Sequence, residues 1–153
     1  MKGVAVAIVA ILATAEAGPT QFTPCQGVPQ DACTVQEVNI RDCDSYPCQI
    51  KRGEDMVTEV TGTPYFTSDD AVIVLEWMDD IFGYPITVNN GGRPENACQY
   101  TTCPLQAGEP STLVYKMPVS SMYMPGTYTF RGKLYNPDDE SQVCCFETQA
   151  EIV

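Results

Sequence analysis

Eight cysteines and no histidine in 153 residues constrain this fold more than any other feature. An even cysteine count in a small chain reads as a disulfide framework, and such frameworks persist in oxidising compartments. The missing histidine argues against most zinc sites and against every histidine-dependent catalytic dyad or triad. Two spacings are tight. Cys98 and Cys103, within Ala97-Cys-Gln-Tyr-Thr-Thr-Cys-Pro104, can close only a small ring and are expected to pin a sharp reversal between strands. Cys43 and Cys48 form a second small ring. Neither pair has the Cys-x-x-Cys spacing of an oxidoreductase.

The N-terminus agrees with export. Met1-Lys2 is a short basic start, Gly3 to Ala13 an apolar run and Ala15-Glu16-Ala17 a small-residue cleavage site, so residues 1–17 read as a signal peptide and 18–153 as the mature domain. The apolar run is shorter than the roughly 20 residues of a membrane-spanning helix, and the mature protein is expected to be soluble. Its length suits one domain, since single cores usually take roughly 100 to 200 residues. A formal charge of −12 disfavours nucleic acid as a partner. No Asn-x-Ser/Thr sequon occurs, so N-glycosylation is not predicted.

Beyond an extended arm over 18–31 the chain alternates at the period of strands. Val38 and Ile40 alternate with Glu37 and Asn39; Met56, Thr58 and Val60 with Val57, Glu59 and Thr61. Gly62 and Pro64 are expected to break or bulge that second strand. Val72 to Met78 reads as a strand in which Glu76 marks the face opposite Ile73, Leu75 and Trp77, although a helix is also compatible with so short a run. Asn89 to Pro94 is a loop by composition. Leu113, Tyr115, Met117 and Val119 share one face that continues to Tyr123, and Tyr128, Phe130 and Leu134 share another. Phe146, Thr148, Ala150 and Ile152 close the pattern, which describes an all-β sandwich.

These residues resemble the MD-2-related lipid-recognition (ML) family, and within it the Niemann-Pick type C2 and mite group 2 allergen branch. The resemblance covers nearly the whole mature chain. It rests on Glu37-Val-Asn39 leading to Cys43 and Pro47-Cys48, on Ala97-Cys98 with Cys103-Pro-Leu105, on Met117-Pro-Val119 with Tyr123, and on Cys145-Phe-Glu147. It implies an immunoglobulin-like sandwich whose two antiparallel sheets hold a hydrophobic ligand, a sterol or fatty acid, with no enzymatic activity and no cofactor. It also implies disulfides Cys43 to Cys48, Cys98 to Cys103, and a long one from the arm to the last strand. Cys33 and Cys144 look like an added pair, giving Cys25 to Cys145 and Cys33 to Cys144, with the crossed pairing an open alternative.

Carried over by position, the ligand-contacting valine and tyrosine fall on Val119 and Tyr123, and a mouth residue on Val88. The branch's tryptophan on its last two strands is replaced by Gly132 and Phe146, while Trp77 stands where a smaller residue is usual, so the cavity is expected to be reshaped. Met56, Val60, Leu113, Tyr115, Met117, Tyr128 and Phe130 complete the expected ligand wall. In an arbitrary sandwich such a stripe is more often plain core. Methionine thioethers at Met56, Met78, Met117, Met122 and Met124 suit an adaptable pocket and suit ordinary packing equally. The acidic runs Asp69-Asp70, Asp79-Asp80 and Asp138-Asp139-Glu140 read as solvated turns, with no calcium loop among them. Two functions follow. One is a secreted monomeric carrier that delivers a sterol or fatty acid to a membrane or receptor, the lysosomal lumen being an alternative residence. The other is a secreted interaction module with a filled core and an acidic binding surface.

Overall fold

The computed structural model describes residues 19–78 and 84–153. The expected signal peptide and the Asp79-Asp80 pair lie outside the described residues. Among those residues the strands are β1 Thr23–Pro24, β2 Cys33–Ile40, β3 Cys48–Ile50, β4 Asp55–Pro64, β5 Val72–Met78, β6 Pro85–Thr87, β7 Glu95–Asn96, β8 Ser111–Pro118, β9 Gly126–Asn136 and β10 Asp139–Ile152. They build an immunoglobulin-like sandwich of two sheets. The larger runs β1-β10-β9-β5-β6, with β3 also on β10 and β7 also on β5; the smaller is β2-β4-β8. Pairing is antiparallel except that β3 runs parallel to β10.

Alternation decides what each strand buries. On β4, Met56 and Thr58 are buried while Asp55 and Glu59 are exposed; on β8, Tyr115 and Met117 are buried while Val114 and Lys116 are exposed. Each fully buried side chain of this size contributes about 1.5–3 kcal/mol. Register carries the pattern between strands: Val60 sits opposite Val38 and Leu113, and Leu75 opposite Gly132, itself opposite Phe146. β5 is a strand with Ile73 and Leu75 inward, as the sequence indicates. Glu76, on the opposite face, is nonetheless only 6% exposed. Lys133 on the neighbouring strand compensates it, with Nζ 2.8 Å from Oε1.

Two local expectations need correction. The clip at Cys98 and Cys103 does not turn a strand back beside its neighbour. It carries the chain from β7 in one sheet to β8 in the other: Ala97 N–H donates to Ala71 O (2.8 Å), and Val114 N–H to Tyr100 O (3.1 Å). The irregularity placed on β4 lies instead on its partner. Register passes from Val35 opposite Gly62 to Glu37 opposite Thr61, which leaves Gln36 as the extra residue of a bulge on β2. Gly62 permits this, because a Cβ there would stand 3.2 Å from Thr34 O.

The arm is structural. Thr20 bonds the edge of β2, through its N–H to Val38 O (2.8 Å) and its Oγ1 accepting from Ile40 N–H (3.0 Å). β1 then pairs with β10, so the arm seals one side of the sandwich between the two sheets. The disulfides are Cys25–Cys145, Cys33–Cys144, Cys43–Cys48 and Cys98–Cys103. Cys144 and Cys145 are adjacent on β10 and therefore face opposite ways. Cys144 reaches across the interior to β2, and Cys145 holds the arm against the outer face with Val143 and Val28.

The two long staples span 120 and 111 residues but share nearly the whole of that loop. With either in place, the other constrains only about ten further residues, so removing one costs about 2.6 kcal/mol and removing both roughly 7.4 kcal/mol in the chain-entropy treatment. Urea unfolding should therefore show the quadruple alanine variant of Cys25, Cys33, Cys144 and Cys145 losing about 2 kcal/mol more than the sum of the two pairwise variants. Simple additivity would refute the shared-loop argument.

Candidate functional site

A predominantly apolar cavity of about 80 Å³ lies between the sheets. Its walls are Met56, Thr58 and Val60 of β4, Leu113 and Tyr115 of β8, Ile73 and Leu75 of β5, Phe130 and Leu134 of β9, and Cys144, Phe146 and Thr148 of β10. Three features mark this end of the sandwich. The Cys33–Cys144 bond ties the sheets at this end, and Gly62 and Gly132 both line the cavity without side chains. The ring of Phe146 lies over Gly132, where a Cβ would come within 2.5 Å of Cε1. A glycine–aromatic cross-strand pair thus occupies the place where the resemblance implied a tryptophan.

The expected ligand wall divides in two. Met56, Val60, Leu113, Tyr115, Phe130 and Phe146 border the cavity. Trp77, Tyr123 and Tyr128 pack on one another at the other end, with the Trp77 ring 4.6 Å from that of Tyr123 and 5.0 Å from that of Tyr128. Val119, 3% exposed, is core there, and backbone bonds to Gly53 and Glu54 fix it (2.7 and 2.9 Å). Val88, Met117 and Tyr123 border a separate recess together with Glu95, Tyr100 and Tyr115. Trp77, Val119 and Tyr128 border neither space. The cavity also takes Ile73, Leu75, Leu134 and Thr148, which the sequence places inward without marking them as ligand contacts.

A polar cluster missed by sequence reading joins the two spaces. Tyr115, 5% exposed, lines both, and its hydroxyl donates across the sandwich to Glu95 Oε2. Asn89, fully buried, donates to the same oxygen (3.0 Å), and the Tyr100 hydroxyl donates to Oε1 (2.9 Å). The two tyrosine rings meet edge to face at 4.8 Å. Burial works against the charge on Glu95, but the hydrogen bonds from Tyr115, Asn89 and Tyr100 outweigh it and hold the carboxyl below its ordinary range. Burial, and then the bond to Glu95 and its charge, push the Tyr115 hydroxyl well above its usual value. The cluster at neutral pH is one carboxylate held by three donors. The sequence signal was slight: a lone acid two residues before Ala97, 20 residues from Tyr115.

Residues 19–152 match the ML domain family. An MD-2-related lipid-recognition protein of Manduca sexta is 33% identical over 132 residues, covering 86% of this chain and 83% of that protein. An NPC intracellular cholesterol transporter 2 of Sus scrofa is 26% identical over 138 residues, covering 90% and 88%. The Niemann-Pick type C2 protein of the Japanese carpenter ant superposes with a TM-score of 0.70 at 16% identity, over 87% of this chain and 99% of that one, a likeness of fold.

The two ends should respond differently to added volume. Val119→Phe, in packed core, is expected to lose about 1–3 kcal/mol of stability. Val60→Phe, which can direct its ring into the cavity, is expected to lose less than about 1 kcal/mol. Thermal unfolding of both variants decides this, and equal losses would mean that the cavity is as tightly packed as the aromatic end.

Proposed function

The chain belongs to the ML domain family, and on that footing we propose that it is a soluble, monomeric carrier that binds one lipid between its sheets and carries out no catalysis. The observation that supports this is the cavity itself. Its walls come from six strands of two sheets, two of its lining positions are glycines, and a disulfide stands at its edge. The names of the relatives, a lipid-recognition protein and a cholesterol transporter, favour the same class of ligand.

Size bears on which lipid. A cavity of about 80 Å³ has room for about five to eight water-sized spheres, whereas small-molecule sites usually span about 300–1,000 Å³. Uptake of a whole ligand therefore requires displacement of wall side chains, and the half-buried Val60, Leu113 and Leu134 are the least constrained. An extended acyl chain asks for less displacement than a fused-ring sterol, so we place a fatty-chain ligand ahead of a sterol.

In this reading residues 1–17 are a signal peptide and 18–153 the lipid-binding domain. The protein is exported to an oxidising compartment in which its four disulfides form, the extracellular space in preference to the lysosomal lumen. It would release its ligand to a membrane or to a receptor. The competing reading, an interaction module with a filled core, draws on the aromatic stack of Trp77, Tyr123 and Tyr128, which is packed as a core.

Organic extraction of protein purified from its natural source, followed by mass spectrometry, is expected to yield about one lipid per chain. Uptake of a neutral fluorescent probe, N-phenyl-1-naphthylamine, should fall at least about tenfold in Val60→Phe, which removes about 1.4 kcal/mol of binding, with the melting temperature retained. A lipid-free wild type that takes up neither fatty acid nor sterol would overturn the carrier reading in favour of the module.

A further inference from the structure

The recess beside Glu95 lies between β8 of one sheet and the β6–β7 segment of the other, on the side of the sandwich away from the arm that seals β2 to β10. Its hydrogen-bonding capacity is one-sided. A carboxylate offers about four lone-pair positions. On Glu95, Oε2 receives Tyr115 and Asn89, while Oε1 receives Tyr100, which leaves a position open on Oε1. Both tyrosine hydrogens are committed to Glu95, so each hydroxyl offers further partners its lone pairs.

Of the nearby amides, Asn89 is fully used. Asn89 Nδ2 bonds Glu95 Oε2 and Ile73 O (3.4 Å), and its Oδ1 accepts from Leu75 N–H (2.9 Å). Asn90, exposed, spends one of its two Nδ2 hydrogens on Pro94 O (3.5 Å). Lys116 borders the recess, but it stands on the outward face of β8, exposed and paired with Asp55 (3.0 Å). What Glu95, Tyr100 and Tyr115 present is an ionised carboxylate and two hydroxyl oxygens, all of them acceptors.

We propose that this recess is a head-group site for lipids that carry a hydrogen-bond donor, a hydroxyl or a protonated amine, and that it discriminates against carboxylate-headed lipids. The inference rests on the reading that the inter-sheet cavity takes the apolar part of the ligand. Tyr115 is the wall common to both spaces, so a ligand whose tail lies along its ring in the cavity brings its head group to the Glu95 side. A hydroxyl there donates to the open position on Oε1. A ligand carboxylate brings no proton, and a second negative charge beside the first raises the energy of both.

The test uses the full disulfide-bonded protein and a neutral fluorescent probe, N-phenyl-1-naphthylamine, displaced at pH 7.5 by 1-decanol or by decanoate, which share a ten-carbon chain. On wild type, decanol should compete at a concentration at least about tenfold lower than decanoate. Some preference for the uncharged head follows from desolvation alone, so the deciding quantity is the ratio in Glu95→Gln, where the charge is gone and an amide donor is introduced. That ratio should fall at least about fivefold. An unchanged ratio, or decanoate matching decanol on wild type, overturns the head-group site while leaving the carrier reading intact. Absence of probe binding removes both. Should Glu95→Gln fail to fold, Tyr100→Phe decides: it frees a second position on Oε1, so the preference for decanol should hold or rise, and a fall overturns the proposal.

Discussion

Neighbouring residues on a strand face opposite ways, and Cys144 and Cys145 convert that rule into the frame of this molecule. The inward bond to Cys33 sets how far apart the sheets stand at one end. The outward bond to Cys25 draws the arm across the back of β10, and Thr20 and β1 then close the side between the sheets. Exchanging the partners would ask Cys145 to reach the interior and Cys144 the exterior, which the pleat forbids without a bulge at that point. The recorded register of β10 with β9 is continuous from Val143 to Ile152.

From this frame come two unlike halves. At the stapled end the apolar cavity lies between the sheets, Gly62 admits the β2 backbone and Gly132 admits the ring of Phe146. At the other end, Trp77, Tyr123 and Tyr128 fill the space with rings, each such pair contributing about 0.5–1.5 kcal/mol beyond the area it buries. Between them Tyr115 and Glu95 join the sheets by a hydrogen bond. A carboxylate in that position is tolerable because three donors compensate its lost hydration.

Much of this was legible in the residues. Alternation in Met56 to Val60, Leu113 to Met117 and Tyr128 to Leu134 told which side chains face inward, since a strand leaves no other choice once one face is buried. It could not tell how far along the sandwich each inward residue lies, or what it meets. Val119, Trp77 and Tyr128 therefore read as ligand wall although they pack against core and one another. Gly62 correctly flagged an irregularity, but a bulge belongs to a pair of strands, and the extra residue, Gln36, is on the partner. The clip at Cys98 and Cys103 showed a tight ring and not which sheets it joins. The Glu95 cluster was beyond local pattern, because it is assembled from a loop asparagine, a two-residue strand, the clip and β8.

The division into a filled end and an open end also bears on how such a chain can change over evolutionary time. Side chains at Val60, Leu113 or Leu134 touch the cavity, while the ring stack around Trp77 and the arm lie elsewhere. Distant, independent sites contribute nearly additively to stability. Selection can therefore act on the shape of the interior without putting the capacity to fold at stake, and a lineage of such proteins can diversify what it holds while keeping one scaffold.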